Sequence, residues 1–238
     1  YFPGTTEDLA NDYAKSLFEM SSPLPGYMRS LAAAQGIPVS EFARGYVYNA
    51  DMGGQTDIFR FDLERWASTR VTRTPENEFS PSLTTDGEML VVRWPADMST
   101  GALWRYSGRG DPIGEHPLSV ERVGYYGVVP EVGIAYFVND SVRTFRVRRM
   151  NGEAYTVLTG LSGSAPQHIP GTVAVSFMMP LDDGRVWIHC LDLESGDITP
   201  IVPEAGEALS YAWLEGGVLL MPDGNAVFAF DPQRDAGW

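Results

Sequence analysis

The chain has 238 residues, 44% of them hydrophobic, with 25 glycines and 17 prolines; that is enough apolar material for one large all-β domain or two small ones, and it excludes general disorder. Seventeen basic residues stand against 31 acidic ones, and the net charge of −14 repels phosphate backbones, so no nucleic-acid partner is expected. No stretch reaches the roughly 18 consecutive apolar residues of a membrane-spanning helix, so no span in this chain is expected. The single cysteine, Cys190, has no partner for a disulfide or a cysteine-based metal site and reads as a buried strand residue in "VWIHCLDL". The sequence begins at Tyr1 without a Met or a signal-like apolar run, which points to processing of a longer precursor or to a sequence that represents only part of it.

In chain order, "TTEDLANDYAKSLFEM" places Leu9, Tyr13, Leu17 and Met20 at three- and four-residue steps behind a Thr5 or Thr6 cap, which predicts a short amphipathic helix. A second helix, "MRSLAAAQG", stops at Gly36 with Pro38 beyond it. Ala32 and Gly36 have helix-turn-helix spacing, but Arg29 and Arg44 are the only positive charges nearby, too few for a DNA-binding face. Alternatively, "SLFEMSSPLPGYMRSL" aligns with "TRVTRTPENEFSPSL" through Pro23 with Pro75 and Tyr27 with Phe79, and the segment supplies an outer strand to the last repeat. Residues 1–44 are therefore expected to form an extension, helical or ring-closing, ahead of a repeat domain at 45–238.

That domain carries two series in step. Tetrapeptides of apolar-x-apolar-polar type recur as "FRFD" at Phe59, "WRYS" at Trp104, "FRVR" at Phe145, "HCLD" at His189 and "FAFD" at Phe228, at successive intervals of 45, 41, 44 and 39 residues. The apolar stretches "MLVVRW" from Met89, "IAYFV" from Ile134, "VAVSF" from Val173 and "VLLM" from Val218 precede them at a similar interval. Asp86-Gly87, Asp183-Gly184, Gly216-Gly217 and Asp223-Gly224 supply the positive φ that tight hairpins need, so neighbouring strands are antiparallel. A meander of about four short strands cannot cover both faces of its own sheet, and stacking copies around an axis solves this. The fold expected is an all-β propeller of four-stranded antiparallel blades, with five copies detected and five or six blades in all. In one copy "EFSPSLT" is the innermost strand, "TDGE" the hairpin, "MLVVRW" and "ALWRYS" the next strands, and the segment near Leu118 the outer one. "YYGVV" from Tyr125, "APQHIP" from Ala165 and "LSYAWL" from Leu209 are the inner strands that follow.

The stretch "TDIFRFDLERWASTRVTRTPENEFSPSLTTDGEMLVV" resembles the TolB-like, WD-like propeller repeat of bacterial envelope proteins. Asp57, Ile58, Asp62, Val71, Thr72, Pro81, Asp86 and Gly87 match its pattern in order, while Thr85 stands where the family has Pro or Ser-Pro. Later copies keep the strand spacing and lose the signature, except "DLESGDITPIV" from Asp192. The resemblance runs from near Tyr46 to Pro232. It implies a β-propeller, typically of six blades, in the periplasm or cell envelope, with other envelope proteins as partners.

No catalytic spacing stands out. His116, His168 and His189 lack the short intervals of common metal sites, "GLSGSAP" from Gly160 lacks the nucleophile-elbow spacing, and no catalytic residue, cofactor or metal ligand is assigned. Glu76 and Glu78 suit acid–base or calcium chemistry, although in the family pattern such an acid braces the turn between blades. The Arg-Gly-Asp tripeptide at 109 to 111 reads as a hairpin tip. Within "VRTFRVRRM", Arg143, Arg146, Arg148 and Arg149 either pair with acids across strands or meet an acidic partner. His168 either faces a central channel or makes a structural hydrogen bond. These five are the partner-binding candidates, and the expected function is a non-enzymatic protein-binding or scaffold module docking to a larger envelope complex. The alternatives are a hydrolase or lactonase-like enzyme with a metal in the channel, and an accessory propeller of a peptidase-like chain.

Overall fold

The computed structural model describes residues 45–234 apart from residues 52, 63–64, 66, 85, 98–99, 120–121, 139–140, 162–164, 182–184, 203–210, 215, 224–225 and 233. The helices expected before residue 45, and the alternative strand there, lie outside the described residues. Every element within them is a strand, in five antiparallel sheets, three of four strands and two of three. The chain divides into two compact units between Glu121 and Arg122.

The first unit holds two sheets. One is β1 (Gly45–Asp51), β2 (Thr56–Asp62) and β3 (Ala67–Arg70); the other is β4 (Asn77–Leu83), β5 (Met89–Trp94), β6 (Ala102–Tyr106) and β7 (Pro112–Glu115), each sheet in chain order. The Asp86-Gly87 hairpin joins β4 to β5 as its chemistry demands: Gly87 sits at φ +85°, and its N–H donates to the Thr84 carbonyl at 3.1 Å. The outer strand is β7, earlier than the segment near Leu118. The Ser107 N–H already bonds the Asp111 carbonyl at 2.8 Å, so the tripeptide 109 to 111 turns the chain back at once, and Leu118 is buried in the turn that follows.

The second unit holds three sheets. They are β8 (Val123–Val129), β9 (Gly133–Val138), β10 (Phe145–Arg149) and β11 (Ala154–Leu158); β12 (Gln167–His168), β13 (Ala174–Pro180), β14 (Val186–Asp192) and β15 (Ile198–Val202); and β16 (Ala212–Trp213), β17 (Leu219–Asp223) and β18 (Ala226–Phe230). The five tetrapeptides begin on β2, β6, β10, β14 and β18, the same strand of each repeat. By that correspondence the first sheet has no counterpart of β4 among the described residues, and the fifth none of β7.

Within each unit, successive sheets bury apolar faces against one another. Ile58 of the first sheet meets Met89, Val91 and Tyr106 of the second. Phe145 and Val147 of the third meet Val175, Phe177 and Leu191 of the fourth, and Met178 and Ile188 of the fourth meet Leu219 and Phe230 of the fifth. Each such side chain contributes about 1.5–3 kcal/mol. The approach is tight at β8, where a Cβ on Gly127 would stand 2.5 Å from the Pro166 carbonyl oxygen just before β12. The crowding at this first strand of its repeat is thus met by the smallest residue.

Candidate functional site

The four arginines lie on β10 and the loop before it, and their surroundings separate them. Strand alternation sends Phe145 and Val147 into the core shared with the fourth sheet, and Arg146 and Arg148 to the opposite face. Across the ladder Arg146 faces Tyr136 and Arg148 faces Ile134. Burial pushes the Tyr136 phenol above its usual range, against the opposing pull of the two guanidinium charges. Both arginines are half-buried, and Arg146 Nε is buried without a hydrogen-bond partner among the described residues.

Arg149 is committed inside its own unit. Its Nε donates to the Leu193 carbonyl at 2.9 Å, Nη2 to the Glu194 carbonyl at 2.6 Å and Nη1 to Glu153 Oε2 at 2.8 Å. Its guanidinium carbon lies 5.2 Å from the Tyr155 ring centroid. Arg149 therefore ties the third sheet to the turn after β14.

Arg143 is different. It is exposed in the loop between β9 and β10, holds a φ of +53° and has no side-chain partner among the described residues. Its neighbour Val142 is 54% exposed, and the Val142 carbonyl accepts the Gly160 N–H at 3.0 Å, which fixes that end of the loop. An L-residue in the left-handed region costs about 1–2 kcal/mol.

The histidines are scattered. His168, half-buried on β12, donates from Nε2 to the Thr172 carbonyl at 2.9 Å. His116 Nδ1 accepts the Leu118 N–H at 3.1 Å, and burial lowers its pKa. His189 is buried on β14 between Phe177 and Trp187, with ring centroids at 5.9 and 6.3 Å. Cys190 beside it is half-buried rather than fully buried, and burial pushes its thiol up. Among the described residues, no group of three or more His, Cys, Asp or Glu is placed to hold a metal ion.

Sequence reasoning missed a polar network in the first unit. Glu78 is wholly buried on β4; its Oε1 accepts from Thr74 Oγ1 at 3.0 Å and from the Tyr106 hydroxyl. Asp57, also buried, takes a bond from Arg70 Nη2. Arg93, the Cα partner of Glu78 across the ladder, gives Nη2 to Glu76 Oε2 at 2.5 Å and stacks 3.9 Å above the Trp104 ring. Asp57 Oδ1, Glu78 Oε2 and Arg93 Nε are buried without hydrogen-bond partners among the described residues. Only the pairing of Glu76 and Glu78 hinted at this, because nothing in the spacing of Tyr106 marks it as a carboxylate's partner.

No family model and no curated protein matches the sequence. Solved structures do match. TolB from Acinetobacter baumannii is 14% identical with a TM-score of 0.60, over 86% of this chain and 54% of that one. A putative TolB from Agrobacterium tumefaciens is 17% identical with a TM-score of 0.53, over 79% and 65%. An oligogalacturonate lyase in complex with manganese is 14% identical with a TM-score of 0.50, over 82% and 61%. The chain thus spans about half the length of the first TolB structure. With the five antiparallel sheets, these likenesses establish the fold as a TolB-like β-propeller.

Proposed function

We propose that the protein is a non-enzymatic binding module of the bacterial cell envelope, a subunit that docks to other envelope proteins through the loop between β9 and β10. The observation that carries this reading is Arg143, displayed without a partner among the described residues, in a strained backbone beside exposed Val142. Backbone strain kept in a loop is a reason to look for function there. A cation next to an aliphatic side chain fits a surface carboxylate flanked by apolar contact. Arg146 and Arg148 add positive charge on the same strand segment, whereas Arg149 serves the fold. The TolB-like fold and the repeat resemblance support the placement in the envelope.

Arg143→Gly tests this with two readouts. It relieves the left-handed strain, so stability to urea should rise by about 1 kcal/mol. It also removes the cation, so capture of the partner from native envelope by the immobilised wild-type chain should be lost with the variant. Equal capture by both proteins, or recovery of the bait alone, would sink the reading.

A further inference from the structure

We propose that the joint between the first two sheets is a proton-operated latch, in which Asp57 takes up a proton on acidification and relieves a buried, half-satisfied charge at the seam it shares with Glu78. The two carboxyls come from different sheets, β2 and β4, and are 1% and 0% exposed. Two hydroxyls, from Thr74 and Tyr106, donate to the same oxygen of Glu78. Burial and then its bond to Glu78 hold the Tyr106 phenol far above its ordinary range, so it stays protonated as the donor in that pair. Arg93 is held by Glu76 and Trp104.

Asp57 is the group left to respond. Its Oδ2 is held by Arg70 and its Oδ1 is buried without a partner among the described residues, so in the charged form half of the carboxylate is desolvated without return. The charged groups around it are Arg70 from β3, Arg73 from the connection after β3 and Glu78 from β4. Burial raises its pKa first, Arg70 lowers it, Glu78 raises it and Arg73 lowers it, and the balance is upward. A carboxyl that binds its proton more readily folded than unfolded makes the fold more stable as pH falls from neutral toward the unfolded value of about 3.9. The same segment is laced to β2: the Ile58 N–H donates to Thr72 Oγ1 at 3.0 Å, and Arg70 Nε donates to the Thr72 carbonyl at 3.1 Å. Asn77 Oδ1 of β4 accepts the Thr56 N–H of β2 at 2.9 Å, so protonation of the adjacent Asp57 tightens the contact of β4 with β2.

The measurement is hydrogen exchange at the amides of β4 and β5 in the intact chain, followed from neutral pH down to about pH 4.5, after correction for intrinsic exchange rates. Protection should rise on acidification in the wild type and lose that pH dependence in Asp57→Asn. An equal pH response in the two proteins would overturn the latch. Carboxyl NMR of the wild type gives an answer that needs no variant: an Asp57 midpoint above about 3.9 supports the proposal, and one at or below it refutes it. Glu78→Gln should move that midpoint down, and an unmoved midpoint would remove Glu78 from the device.

Discussion

The joint between the first two sheets and the joint between the third and fourth are built from the same repeat by opposite means. At the first, Tyr106, Thr74 and Arg70 converge on two buried carboxylates. At the second, Phe137, Phe145 and Phe177 follow one another at ring centroids of 4.7 and 4.9 Å, and His189 continues the series at 5.9 Å. Dispersion and desolvation hold the aromatic joint, so it should tolerate exchange of shape for similar shape and suffer from lost volume. The polar joint depends on direction and charge, so a single missing oxygen should be felt where a change of volume is not.

Truncating the aromatic series should have the largest effect. Phe177→Ala removes the ring between Phe145 and His189 and should lower unfolding stability by about 3–5 kcal/mol; a loss under about 1 kcal/mol in urea titration would mean that the series does not hold the joint. Next comes Tyr106→Phe, which keeps the ring and deletes a donor to Glu78. It should cost about 1–3 kcal/mol, and a silent substitution would erase the contrast between the joints. The smallest effect should be a dependence on pH. Burial lowers the His189 pKa, so the folded second unit binds this proton less readily than the unfolded chain. Stability from His189 is complete above about 6.5 and falls as pH drops below that value. His189→Phe should flatten this acid response of β13 and β14 amides in hydrogen exchange, a response of opposite sign to that at β4 and β5.

Much of the fold was legible because it rests on period. Two series in phase, with Asp-Gly and Gly-Gly turns between them, located the strands before any pairing was known, and β5, β9, β13 and β17 fall on the four apolar stretches. The outer strand after β6 was misplaced toward Leu118 because turn length there is set by the Ser107 to Asp111 bond, which composition does not reveal. The arginines could be seen as a cluster, but not sorted. Arg149 finds its acceptors at Leu193 and Glu194, in the next repeat, and the strain at Arg143 lies in a dihedral angle. Asp57 and Glu78 belong to different sheets, and their meeting depends on packing rather than on strand alternation.

The bonds of Arg149 to the turn after β14 have a mechanical side. Main-chain carbonyls of one meander are gripped by a side chain of its neighbour, so a pull on β10 reaches residues 193 and 194 directly without first shearing the phenylalanines. Under load the pair of sheets would yield as one piece until that grip is released, and an arginine-to-lysine exchange, with its single point of attachment, would let them part sooner.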